Sequence, residues 1–205
     1  MQHLLFDLVF DLETMNSDFS LQQHQLIEDC KRNDRKAQFA LYNKYSEGMY
    51  WVASRFLKDP MEAEDAMQEA FIKAFSKIQQ FTGEVTFGAW LKRIVINQCL
   101  DKIKARKLEV VALSEQVLNT VEEEEDWMVE SEISVDIIKK CIDALPQKYK
   151  YPLMLFLMEG YDHSEIAEIL KITPVASRTL VHRGKKKLQE ELKRKKDETG
   201  SAGVV

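Results

Sequence analysis

The chain's 205 residues are 45% apolar and 31% charged, with seven glycines and four prolines; this leaves room for one or two domains and excludes collagen-like, turn-rich all-β, low-complexity and wholly disordered chains. The net charge of −5 hides a segregation: residues 109–132 hold nine acidic residues and no Lys or Arg, residues 171–196 ten basic against two acidic, and residues 91–107 six basic against one acidic. Concentrated basic segments on an acidic chain fit a polyanion met at defined places, although solvated helix faces account for many such runs.

Residues 1–22 form an N-terminal extension. Its apolar start lacks Lys and Arg and is interrupted by Asp7, unlike a signal peptide; it is expected either to be amphipathic or to lie ahead of a translation start at Met15. No apolar run approaches the ~18 residues of a membrane span, so no membrane insertion is expected. Residues 23–107 make a first helical domain. Leu26, Ile27 and Cys30, then Phe39, Ala40, Leu41 and Tyr45, recur at helical spacing. Asp59-Pro60 supplies a cap and a first-position proline for a helix that buries Ala66, Phe71, Ala74, Phe75 and Ile78 and stops near Phe81-Thr82-Gly83. Thr86 caps the next helix, on which Leu91, Val95, Cys99 and Ile103 form an apolar stripe and Arg93, Asn97, Asp101 and Lys104 a polar face.

Residues 108–133 are an acidic linker. The five like charges at 122–126 disfavour compact packing, while Val110, Val111, Leu113, Leu118 and Trp127 offer points of docking. Residues 134–196 make the second domain. Leu145-Pro146 opens a helix, Pro152 is expected to kink it or shorten its first turn, and Glu159-Gly160 closes it as a Gly C-cap. Asp162 and Glu165 make a capping box for a short helix. A turn at Lys171-Ile172 follows, then Thr173 as N-cap and Pro174 at the first position of the last helix. Two helices joined by so short a turn form a helix-turn-helix, with Ala167 allowing their close approach; the basic second helix favours DNA binding over a packing hairpin. Residues 197–205 are a tail.

Cys30, Cys99 and Cys141 stand apart with no Cys-x-x-Cys pair, which fits a reducing cytoplasm, and Cys99 and Cys141 are expected to be small core residues. His3, His24, His163 and His182 have no ligand spacing, and no nucleophile–base pair or phosphate-cradling Gly loop appears. A binding protein without metal or cofactor is expected, not an enzyme.

Two sets of motifs carry a resemblance. The first is Asp65-x-x-Gln68-Glu69-x-Phe71, Phe81-x-Gly83 and Phe87-x-x-Trp90-Leu91-x-x-Ile94-x-x-Asn97-x-x-x-Asp101. The second is Leu145-Pro146, Glu159-Gly160, Glu165-Ile166-Ala167 and His182-Arg183 followed by residues 185–188. In this order, and separated by an acidic linker, they resemble the extracytoplasmic-function (group four) sigma factors, promoter-recognition subunits of bacterial RNA polymerase. The resemblance implies an all-α fold of two small helical domains, the second containing the helix-turn-helix.

It further implies a core-polymerase-binding set, Asp65, Gln68, Glu69 and Phe71, with Phe71 as apolar anchor. A minus-ten set follows: Phe87, Trp90, Lys92, Arg93, Asn97 and Lys104. The minus-thirty-five set is Arg178, Thr179, His182, Arg183, Lys185 and Lys186, with Arg178 and Thr179 nearest the base edges and Arg183, Lys185 and Lys186 on phosphates. The implied partners are core RNA polymerase, through the clamp of its largest subunit and the flap of its second-largest, promoter DNA, and an anti-sigma factor. Two departures stand out. Lys171 occupies a turn position where a small residue or Gly is usual, so the turn is expected to open without a left-handed Gly. Ser177 falls on the inner stripe with Val181, Gly184 and Leu188, where it is expected to bond back to the preceding turn. The rival readings are a helix-turn-helix regulator that binds duplex DNA without joining polymerase, and an all-helical interaction module with no DNA role.

Overall fold

The computed structural model describes the backbone of residues 22–107 and 134–201. The expectations for the extension, the acidic linker and the last four residues lie outside the described residues. Every described element is helical, and the chain divides into two compact units, one within residues 1–112 and one within 113–205.

The first unit holds α1 (residues 22–31), α2 (Arg35–Phe56), α3 (Pro60–Ser76), a 3-10 turn (Ile78–Gln80) and α4 (Phe87–Lys107). Short polar side chains set the helix starts. Asp34 accepts from the amides of Lys36 and Ala37, and Asp59 from those of Met61 and Glu62 with Pro60 directly behind it. Thr86 Oγ1 accepts from the Ala89 amide at 3.2 Å, the cap expected for α4. The core lies where α2, α3 and α4 meet. Along α3, Ala63, Ala66, Ala70 and Ala74 are fully buried, and these small side chains let the flanking helices approach closely. Leu41 and Ala53 of α2 and Leu91, Val95, Ile96 and Cys99 of α4 fill the rest. Burial pushes the Cys99 thiol up to about 12 and that of Cys30 to about 11, so both are protonated small apolar core residues at neutral pH. At the start of α4, Tyr45, Phe81, Phe87 and Trp90 form a ring cluster with centroids 5.3 to 5.7 Å apart. Gly88 makes room for it, because a Cβ there would stand 3.1 Å from the Tyr45 ring.

The second unit holds α5 (Val135–Ala144), α6 (Gln147–Leu157), α7 (His163–Leu170) and α8 (Pro174–Ser201). Ser134 caps α5, and the buried Lys150 ammonium reaches back from α6 to Asp143 at 2.7 Å. Helix α6 runs on through Pro152, which is buried at its sixth position. It closes around Gly160 at φ +75°: the Tyr161 amide donates to the Leu155 carbonyl, and the Glu159 amide to that of Met154. The Asp162–Glu165 capping box opens α7. Lys171 ends it at φ 59°, ψ 48°. The turn is made without a left-handed Gly, as expected, and it is the lysine itself that takes the left-handed conformation. Thr173 Oγ1 then accepts from the Ala176 amide at 3.1 Å and opens α8. Leu153, Leu155, Ile166, Val181 and Leu188 are the heart of this core; each such side chain contributes about 1.5–3 kcal/mol by leaving water.

Candidate functional site

On α3 two of the four expected residues depart from the outward face: Phe71 is buried, and Glu69, though exposed, is engaged by α4. Asp65 and Gln68 are exposed, as expected. Phe71 is only 2% exposed and packs its ring 4.8 Å from Tyr42 and 5.9 Å from Phe75. It is a core residue, not a surface anchor, because the next position, 100° further round, is the one that faces out. Ile72 is 70% exposed and Met61 77%. Met61, Asp65, Gln68 and Ile72 follow at intervals of four, three and four, so they share one stripe: two polar groups between two apolar ones. That spacing was the signal available in the sequence for Met61 and Ile72.

Glu69 points to α4. Its carboxylate accepts from Lys102 Nζ at 2.9 Å and Gln98 Nε2 at 2.6 Å. The hydrogen bond from Lys102, helped by that from Gln98, holds the Glu69 carboxyl below its usual range. Two helical turns earlier on α3, Glu62 pairs with Arg106. Two cations of α4 are thus engaged by α3.

Further round α4, Asp101 and Lys104 are exposed and Lys92, Arg93 and Asn97 half-buried, while Leu91, Val95, Cys99 and Ile103 are the buried stripe expected. Phe87 is 1% exposed, enclosed by Tyr45, Phe81 and Trp90. As a first-turn residue facing α2 it braces the helix start and its ring offers nothing to a nucleic acid strand, which corrects its place in the minus-ten set. Trp90 keeps part of its surface open beside the exposed loop 82–86. That loop turns at Gly83, φ +84°.

In the helix-turn-helix, Val175, Arg178, Lys186 and Gln189 are exposed and His182 half-buried; they line one outward stripe of α8. Arg183 and Lys185 are half-buried at its flanks, and Lys185 Nζ sits 4.8 Å from the centre of the Phe156 ring. Thr179 is buried, and its hydroxyl donates to the Val175 carbonyl at 3.1 Å. Its donor is spent inside its own helix, so it leaves the set of base readers. Ser177 is 0% exposed, and its Oγ lies 3.1 Å from His163 Nδ1. Its partner is a side chain of α7, not the preceding turn. His163, the first residue of α7, stacks on Phe156 of α6 with ring centres 5.0 Å apart and planes 15° apart. Among the described residues no group of His, Cys, Asp or Glu could hold a metal ion, and no described helix is long and apolar enough to cross a membrane.

These features define a helical DNA-binding protein with a helix-turn-helix in one unit and a second, separately folded unit that carries an exposed mixed stripe and a cationic helix face. Residues 41–109 match the family Sigma-70 region 2, and residues 136–188 match Sigma-70, region 4. The chain is 31% identical to the ECF RNA polymerase sigma factor SigW of Bacillus subtilis, over 82% of this chain and 95% of that one. It is 30% identical to the RNA polymerase sigma-H factor of Pseudomonas aeruginosa, over 83% and 94% respectively. The fold is also that of the sigma factor RpoE of Bartonella quintana, solved in complex with the anti-sigma factor NepR, with a TM-score of 0.53 at 22% identity over 75% of this chain and 95% of that one. The chain belongs to the extracytoplasmic-function sigma factors. It is a promoter-recognising subunit whose partners are core RNA polymerase and promoter DNA, and the match to region 2 disfavours a regulator that works apart from polymerase.

Proposed function

We propose that this sigma factor divides promoter recognition among three surfaces, and that it acts in the cytoplasm as a binding subunit without catalytic chemistry of its own. The first domain spans residues 23–107, the linker 108–133 and the second domain 134–196. The stripe Met61, Asp65, Gln68 and Ile72 meets the clamp of the largest polymerase subunit: Ile72 and Met61 provide apolar area and Asp65 the charge complementarity that guides docking. The second domain meets the flap of the second-largest subunit. The amide and cations of α4, Asn97 with Lys92, Arg93 and Lys104, take the melted minus-ten strand, with Trp90 and the loop 82–86 beside them. A cationic face tracks phosphates, and an amide exchanges donor and acceptor with a base edge that has left the stack. On α8, Arg178 reads a base edge of the minus-thirty-five duplex, with His182 along the same stripe, while Arg183, Lys185 and Lys186 lie near phosphates. The acidic linker occupies a basic channel of the polymerase. An anti-sigma factor holds the chain inactive, by analogy with the complex in which its structural relative was solved.

The observation that carries this reading is the polar face of α4, with half-buried Asn97 and exposed Lys104, on a unit separate from the helix-turn-helix. A duplex-only regulator has no use for it. The test adds the full chain, or its Asn97→Ala variant, to sigma-free core polymerase on a promoter fragment and follows strand opening by permanganate. The variant is expected to form closed complexes normally and to open the strands poorly; a footprint as strong as wild type would remove Asn97 from the minus-ten site.

A further inference from the structure

We propose that His163 is a positioning residue for promoter reading: through Ser177 it fixes the rotation of α8, and so the direction in which Arg178 points. The inference rests on the reading of α8 as the helix that enters the major groove.

Ser177 and Arg178 are neighbours on α8, one fully buried and the other exposed. Most of the inner contacts of α8 are apolar, through Val181 and Leu188, and apolar contacts tolerate small rotations. The Ser177–His163 contact does not. At 3.1 Å between Oγ and Nδ1 it is a directional hydrogen bond, with the hydroxyl able to donate or accept according to the tautomer of the ring. The imidazole is itself held, face to face on Phe156 at the end of α6. Lys185 then places its ammonium over the same Phe156 ring. Residues 177 and 185 are eight apart, about 12 Å along the helix. Two points at that separation, both referred to one His163–Phe156 stack, define the axis as well as the rotation of the recognition helix. Ser177 is buried and His163 half-buried. A polar pair inside a fold contributes little net stability compared with an apolar one, and its best-attested use is to select one register. Here the register decides whether the Arg178 guanidinium meets a base edge in the plane that a bidentate contact needs.

The experiment uses holoenzyme assembled with the full chain and duplexes randomised over the minus-thirty-five element. Wild type defines a preferred sequence, and every variant is then titrated against that sequence and a scrambled one. Ser177→Ala removes the hydroxyl, and His163→Phe keeps the stack on Phe156 but removes the nitrogen. Both are expected to lower the preferred-to-scrambled affinity ratio about tenfold, the scale of one misdirected base contact, with scrambled-duplex affinity and melting temperature near wild type. His163→Asn, whose amide can stand where Nδ1 stood, is expected to recover most of the ratio. A purely structural role predicts that affinity for both duplexes falls in step with the melting temperature. That result, or wild-type discrimination in Ser177→Ala and His163→Phe, overturns the proposal. Arg178→Ala separates the two layers: if it flattens discrimination and the other two variants do not, His163 alone is excluded. If Arg178→Ala itself leaves the ratio intact, the reading of α8 falls and the positioning role with it.

Discussion

Lys171 and Gly184 stand in each other's preferred surroundings. Lys171 has the left-handed backbone of a helix C-cap, where a Cβ costs roughly 1–2 kcal/mol that Gly avoids, less the backbone entropy Gly loses on folding. Lys171→Gly is therefore expected to stabilise the second unit by about 0.5–1 kcal/mol, read as a rise in its melting temperature. Gly184 lies inside α8, where an added Cβ would meet the Tyr149 carbonyl and the Leu153 side chain at 3.4 and 3.5 Å, which is ordinary contact. Gly184→Ala should add a gain of similar size through helix propensity. At this scale the sequence was legible where chemistry is local. Asp59, Thr86, Asp162 and Thr173 all cap where their spacing to the following residues indicated. It was not legible where one side chain's orientation decides. Helical spacing puts Phe71 in the core while the motif resemblance puts it at the surface, and only the packed helix decides between them. Thr179 has an outward-looking position by count, yet its hydroxyl found the Val175 carbonyl within its own helix.

Between elements, the bracing of α4 by α3 escaped sequence reading because it joins residues about thirty apart. Glu69 reads in the sequence as one more member of an acidic interface set; the fold gives it a second part, as a strut to Gln98 and Lys102. The pair is partly open to solvent, with the Glu69 side chain 48% exposed, so its worth is below about 1 kcal/mol. Its pH dependence has a defined sign. The folded-state pKa of Glu69 lies below the ordinary value of 4.5, so the contribution is complete above that value and is lost as pH falls through the lowered one. Glu69→Gln should therefore melt slightly earlier than wild type at neutral pH, and the difference should vanish in acid. Melting curves across that range check it, and an undiminished difference at low pH would mean that the charge of Glu69 is not what α4 uses. The amphipathic stripe of α4 was visible from Leu91, Val95, Cys99 and Ile103, but which of its cations were already engaged by α3 was not.

For the molecule as a whole, a net charge of −5 coexists with a last helix dense in Lys and Arg. Association with promoter DNA should accordingly weaken steeply with salt, since each phosphate contact releases counterions. Lys186, exposed on the outward stripe, is expected to account for about one unit of the slope of log affinity against log salt. Lys186→Ala should lower that slope while affecting preferred and scrambled duplexes alike, in contrast to Arg178→Ala. Each unit also closes its own core: the buried apolar side chains of the second lie between Cys141 and Leu192, and those of the first between Ile27 and Ile103. In evolutionary terms the two units are expected to behave as exchangeable cassettes. Residues 134–201 grafted behind the first unit of another family member should fold and bring their upstream-element preference with them, while the donor of the first unit keeps its own minus-ten choice. Selection of randomised promoters by such a hybrid would show whether a new regulon needs a new protein or only a new combination.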